Sequence, residues 1–207
     1  MKQWDAVFGG SDSEYLYAIQ QTADEGYILG GYSESGITGD VTEPCIGGFD
    51  FWMVKTDASG GKQWDKRFGG SGYDKQKFIQ QTTDGGYLLA GWSDSGISGD
   101  KTQANVGNGD YWIVKTDATG AKMWDAAFGG SLDDKIHCVP QTNDGGYLLG
   151  GYSYSNSGGD VTQASQGLND YWIVKISSTT SLQKYFADAD GDGFGDLSQF
   201  VDTCRNI

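Results

Sequence analysis

The sequence predicts an all-β fold of three antiparallel repeats, each of four strands. Three observations predict it. One phrase recurs 60 residues apart, as Trp4-Asp5-Ala6-Val7-Phe8-Gly9-Gly10, Trp64-Asp65-Lys66-Arg67-Phe68-Gly69-Gly70 and Trp124-Asp125-Ala126-Ala127-Phe128-Gly129-Gly130. A second keeps the same period, as Asp50-Phe51-Trp52-Met53-Val54-Lys55, Asp110-Tyr111-Trp112-Ile113-Val114-Lys115 and Asp170-Tyr171-Trp172-Ile173-Val174-Lys175. Such self-similarity marks a repeat architecture. The third observation is composition: 34 Gly and only 2 Pro stand beside 14% aromatics in 207 residues. A disordered Gly-rich chain would lack those core formers, so the pattern suits short strands joined by Gly-containing turns.

The middle repeat supplies the elements in order. Phe78-Ile79-Gln80-Gln81-Thr82 is short and β-prone. Asp84-Gly85-Gly86 is a turn signal, because Gly takes positive φ without steric penalty. Tyr87 to Trp92 is a nearly unbroken apolar run, and its length and flanking turns suit a buried strand. Ser93 to Gly109 is a long polar loop. In Tyr111 to Lys115, Trp112 and Val114 share one face while Tyr111, Ile113 and Lys115 share the other. Asp117-Ala118-Thr119-Gly120 reads as a hairpin turn, and Lys122 to Phe128 is the fourth strand.

Four antiparallel strands per repeat is the pattern of a β-propeller blade. The third Tyr-Trp strand, at Asp170 to Lys175, has no Trp-Asp strand after it, and the unpartnered one lies at Trp4. That offset is how a propeller closes, with an N-terminal strand completing the last blade. Three blades fall short of the usual four to eight or so. Two chains joined head to tail into a six-bladed homodimer, a segment of a larger ring, and a β-trefoil all remain open. The organisation is therefore residues 1–176 as three repeats, 177–187 as a linker and 188–207 as an acidic tail. Met1 falls where the other repeats carry a turn residue, Gly61 or Ala121, which reads as a segment cut from a longer protein.

The wording resembles the blade-like repeats of large secreted and cell-surface bacterial proteins, often exported by the type IX route. It rests on Trp64 to Ser71, Gln81 to Leu89 and Asp110 to Lys115 and covers roughly residues 1 to 176. The resemblance implies an extracellular β-propeller and no defined activity. The tail, Asp188-Ala189-Asp190-Gly191-Asp192-Gly193-Phe194-Gly195-Asp196, resembles a thrombospondin type 3 or EF-hand-like calcium loop. Asp188, Asp190 and Asp192 would supply oxygens at alternate positions, Gly193 the sharp turn, Phe194 a carbonyl and Asp196 a ninth-position contact. The twelfth position, acidic in a true EF-hand, is Gln199.

Charge narrows the partners. A net charge of -14 repels phosphate backbones and anionic lipid surfaces, which argues against nucleic acid and membrane insertion. No CxxC pair joins Cys45, Cys138 and Cys204, and Cys138 reads as a small core residue. His137 is the sole histidine, and no Gly-x-Ser-x-Gly phrase accompanies it. The repeated acids (Asp5, Asp65, Asp125; Asp40, Asp100, Asp160; Glu14, Asp74, Asp134; Asp50, Asp110, Asp170) would sit in like environments. Glycoside hydrolysis needs unlike ones, so loop-capping roles are expected. Trp52, Trp112 and Trp172 are expected in the inter-sheet core. Tyr32, Trp92 and Tyr152 end a strand before the long loops, where rings could stack on a sugar although core packing fits them too. The loops Ser33 to Gly48, Ser93 to Gly109 and Ser153 to Leu168 are the candidate binding surface. The expected function is extracellular adhesion or ligand binding, for example to a glycan, or a structural spacer. Part of a polysaccharide-degrading enzyme and a polymerising filament subunit are the alternatives.

Overall fold

Each repeat folds into its own antiparallel meander. The computed structural model describes residues 1–177 and the backbone of the short strands Tyr185–Phe186 and Phe200–Val201. The first sheet is β1 (Glu14–Gln21), β2 (Tyr27–Ser33), β3 (Asp50–Thr56) and β4 (Lys62–Phe68). The second is β5 (Asp74–Gln81), β6 (Tyr87–Ser93), β7 (Asp110–Thr116) and β8 (Lys122–Phe128). The third holds β9 (Asp134–Cys138), β10 (Tyr147–Ser153) and β11 (Asp170–Ile176). The short strands, β12 and β13, pair with each other.

The sheets stack in series through two apolar clusters. Ile28, Phe51, Met53 and Phe68 of the first meet Ile79, Tyr87, Leu89, Trp112 and Val114 of the second. Leu88, Ala90, Tyr111 and Ile113 on the far side of the second meet Ile136, Val139, Tyr147 and Leu149 of the third. The alternation read in Tyr111 to Lys115 thus serves two interfaces, one per face. The rings repeat the contact: Phe51 lies 4.7 Å from Trp112, and Tyr111 lies 4.7 Å from Trp172. The pairings among these eleven strands stay within a run of consecutive strands, as in blades and unlike a trefoil. The described residues form no closed ring.

One glycine explains a recurring phrase. The β5–β6 register shifts between Gln76 and Phe78, opposite Gly91. A Cβ on Gly91 would overlap the Lys75 carbonyl oxygen and stand 2.7 Å from the Phe51 ring. Gly31 and Gly151 hold the equivalent positions and would overlap the Tyr15 and Lys135 carbonyls. The bulge thus excludes a side chain at this place in every repeat.

Three expectations are corrected. The first strand of the middle sheet begins at Asp74 rather than Phe78. Its start is fixed by a buried carboxylate, which accepts from the Gly70 amide at 2.7 Å and the Ser95 hydroxyl at 2.8 Å, and which hydrophobicity does not mark. Cys138 is exposed. Its counterpart Phe78 packs between the second and third sheets, whereas Cys138 lies on the face of the third sheet that no further sheet of the described residues covers. Finally, Trp4 does not complete a sheet within the chain. Residues 4–8 form no strand and lie against the first sheet, with Trp4 5.7 Å from the Tyr27 ring.

A candidate ligand face of aromatic rings and lysines

The repeated carboxylates hold loops. Asp65 accepts from Trp52 Nε1 at 2.9 Å and from the amide and hydroxyl of Thr42 at 3.1 and 2.7 Å. Asp125 repeats this with Trp112 at 3.0 Å and with Thr102 at 2.9 and 2.8 Å. Asp40, Asp100 and Asp160 accept from the amides of Gly9, Gly69 and Gly129. Glu14, Asp74 and Asp134 accept from those of Gly10, Gly70 and Gly130. Asp50, Asp110 and Asp170 accept from those of Ile46, Val106 and Gln166. Burial pushes Asp50 and Asp110 each up to about 6. Asp50 is paired with Arg67, 3.0 Å away, whereas the second sheet carries Ala127 at that position.

The unengaged chemistry lies elsewhere. β1, β5 and β9 run side by side, and each turns two residues, two apart, toward the same rings despite the bulge beside them. These positions are Tyr15 and Tyr17, Lys75 and Lys77, Lys135 and His137. Cross-strand partners extend the face: Tyr15 sits opposite Tyr32, Lys75 opposite Trp92 and Lys135 opposite Tyr152. Tyr17 stacks on Tyr32 at 5.3 Å, their hydroxyls 3.0 Å apart. Phe49 meets Tyr32 edge-on at 5.0 Å and neighbours Tyr73 at 6.1 Å. The Lys75 ammonium stands 5.3 Å from the centroids of both Phe49 and Tyr73 and 5.9 Å from that of Trp92. Lys77 sits 3.2 Å over the Tyr17 ring, and Lys135 5.7 Å from Trp92. On the third sheet His137 lies 5.4 Å from Tyr152, which meets Tyr154 at 5.6 Å. One band of rings and ammonium groups therefore crosses all three sheets.

Its electrostatics oppose those of the chain as a whole. Cations over ring faces are stabilised by about 0.5–1 kcal/mol where exposed and more where desolvated. Lys77 draws the Tyr17 phenol below its ordinary value, with help from the Tyr32 hydroxyl. Burial, then the bond to Tyr17, pushes the Tyr32 phenol up. Among the described residues neither Lys75 nor Lys77 forms an ion pair with a carboxylate.

The structure divides the three aromatics singled out in the sequence. Tyr32 is only 7% exposed and acts as the floor of the band, while Trp92 and Tyr152 are half-buried within it. The rings most open to a ligand are Tyr15, Tyr17 and Tyr73, at 47%, 48% and 49% exposure. Sequence reasoning passed over them. The available signal was a variable run between constant phrases: residues 15–18, 75–78 and 135–138 read Tyr-Leu-Tyr-Ala, Lys-Gln-Lys-Phe and Lys-Ile-His-Cys, so it marked the segment but not which of its residues are open. His137 belongs to this band through its contact with Tyr152. The long loops are tied down by the carboxylates above, and Cys45 donates its thiol to the Gly48 carbonyl at 3.0 Å.

The calcium ligands read in the tail, Asp188, Asp190, Asp192, Phe194 and Asp196, lie outside the described residues, as does Cys204. Among the described residues no cluster of three or more acidic, Cys or His groups is poised to hold a metal. No described helix is long and apolar enough to cross a membrane. Comparison with protein-family models and with curated proteins finds no match to this chain.

Proposed function

We propose that this chain is an extracellular or cell-surface binding segment whose aromatic–lysine band holds a glycan bearing carboxylate groups. The single observation that carries this reading is the continuity of the band across three sheets, on a chain of net charge -14. Flat rings offer faces to sugar rings, and convergent polar groups fix orientation. Lys75 and Lys77 present ammonium groups without a carboxylate partner among the described residues, and Lys135 adds one that Asp133 already neighbours at 3.5 Å; such groups favour uronate-type carboxylates over neutral sugars. The extracellular placement rests on the repeat wording.

The test is binding to immobilised uronate-rich and neutral polysaccharides. The Tyr17→Ala/Lys77→Ala double variant should bind the uronate-rich polymer at least about tenfold more weakly, since lost ring and charge contacts together remove more than 1.4 kcal/mol. Added salt should weaken binding further. Wild-type affinity in the variant would end the reading, and depolymerisation of the polymer would replace it with an enzymatic one.

The calcium reading of Asp188, Asp190, Asp192, Phe194 and Asp196 is a second part of this proposal and rests on spacing alone. Calorimetric titration should show one calcium bound per chain and none in Asp190→Ala/Asp192→Ala. Equal binding by the two proteins would remove the site.

A further inference from the structure

The stack of sheets ends in two apolar faces that match each other by construction. Tyr111 and Ile113, which the second sheet offers the third, are 0% exposed, whereas their counterparts Tyr171 and Ile173 on the third are 98% and 67% exposed. At the other end Leu16 and Ile19 of β1 are each 59% exposed. Their counterparts are buried: Gln76 and Ile136 at 0% and 1%, Ile79 and Val139 at 4% and 0%. The third sheet thus ends in the kind of face that binds a following sheet, and the first sheet begins with the kind that receives a preceding one.

Residues 4–8 sharpen the match. Trp4 packs on Tyr27 at 5.7 Å as Trp64 of β4 packs on Tyr87 at 5.8 Å. Phe8 covers Trp52 and Val54 as Phe68 covers Trp112 and Val114. The segment therefore lies on the first sheet where the outer strand of a preceding sheet belongs, with its own backbone unpaired. The third sheet has the reciprocal feature. A cavity of about 320 Å³, lined by Val161, Thr162, Tyr171, Trp172 and Ile173 among others, lies where β8 runs in the second sheet. In the second sheet Asp125 of β8 accepts from Trp112 Nε1 and from Thr102. In the third, Trp172 and Thr162 take those places. Among the described residues no Asp reaches them: position 185 is Tyr, and its strand pairs with Phe200–Val201.

We propose that these ends are the two halves of one head-to-tail interface between copies of this chain. Residues 4–8 of a second copy add to β11 as its fourth strand. The β7–β8 register sets the pairing, because Tyr111 faces Phe128, Ile113 faces Ala126 and Val114 faces Asp125. By that register, Phe8 of the second copy faces Tyr171, its Ala6 faces Ile173 and its Asp5 faces Val174. Asp5 then accepts hydrogen bonds from Trp172 and Thr162. Tyr171 stacks on Trp52 of the second copy, continuing the Phe51–Trp112 and Tyr111–Trp172 series. Such a heterologous contact builds a closed ring or an open filament and covers an exposed strand edge. It is independent of the ligand reading above.

Sedimentation velocity of the 207-residue chain tests this with two variants, Asp5→Lys and Tyr171→Asp. Both side chains are exposed, so each variant should keep the wild-type circular dichroism spectrum. Wild type should sediment as a dimer or larger, each variant alone as a monomer, and their equimolar mixture as a dimer, because the mixture retains one intact pair of ends. A monomeric wild type overturns the proposal, including one whose β11 amides are protected from hydrogen exchange by the same chain. Self-association of Asp5→Lys alone overturns it too, by showing an interface without residues 4–8, as does a mixture that stays monomeric.

Discussion

Replacing Trp112 with alanine should destabilise the chain by about 3–5 kcal/mol, the range for removing a large buried aromatic. Trp112 is 0% exposed and sits at the junction of the first and second sheets. Its ring meets Phe51, and its Nε1 donates to Asp125. Truncation removes the ring packing and opens a cavity between the two sheets. The matched variant Trp172→Ala should cost clearly less, because Trp172 is half-buried and its described sheet has no counterpart of β8 to cover it or to supply the acceptor that Asp125 gives Trp112. Urea denaturation followed by circular dichroism measures both. Equal losses for the two would mean that a fourth strand adds nothing to the hold on this tryptophan. A loss under about 1 kcal/mol for Trp112 would mean that the inter-sheet cluster is not what holds the stack.

Much of this fold was legible because the same physical problem is solved three times. The alternation in Tyr111 to Lys115 told which residues share a face, and the structure gives each face a neighbouring sheet. The turn at Asp117 to Gly120 appears as read, with Gly120 at φ 81° and the Asp117 carboxylate capping the Thr119 and Ala121 amides. Polar strand starts were not legible. Asp74-Lys75-Gln76-Lys77 carries no hydrophobic signal, yet Asp74 and Gln76 are fully buried and Lys75 and Lys77 face the ligand band. Cys138 was misread for a related reason. A strand pattern tells which residues share a face, but not whether another sheet will cover that face.

The candidate site was less legible than the scaffold. Tyr32, Trp92 and Tyr152 were found because each ends an apolar strand before a polar loop. The exposed part of the band comes from the neighbouring strand, through pairs such as Tyr15 with Tyr32 and Lys75 with Trp92. Those pairs are 17 residues apart in sequence and depend on a bulge at Gly31 and Gly91, so no local window contains them. What repetition does show is the reverse of a motif. The glycines and loop-holding carboxylates stay nearly constant across the repeats, whereas the first strand varies at exposed and buried positions alike, Gln76 and Ile136 included.

Asp125→Ala should be the most damaging loss of a polar group, at about 3–5 kcal/mol, as expected when one partner of a buried charged pair is removed. Three donors lose their acceptor at once: Trp112 Nε1, the Thr102 amide and the Thr102 hydroxyl. Lys122, 2.8 Å away, loses its counter-ion. Asp125→Asn keeps one acceptor oxygen and should cost less, by at least about one hydrogen bond or 1 kcal/mol. Acid titration separates this residue from its neighbour Asp110. Burial pushes Asp125 up, but bonds from Lys122, Thr102 and Trp112 outweigh it and hold the carboxyl below its ordinary 3.8. Its stabilising share is therefore present above pH 3.8 and is lost as pH falls through the lower folded value. Asp110 is raised to about 6, chiefly by burial, so its share has the opposite sign, complete below 3.8 and lost as pH rises through about 6. Stability measured against pH should show Asp125→Asn closing on wild type at the acid end. Asp110→Asn should gain on wild type as pH rises from 3.8 to about 6. Parallel profiles for all three proteins would mean that these two buried carboxylates, one fully bonded and the other with an unpaired oxygen, are not held differently after all.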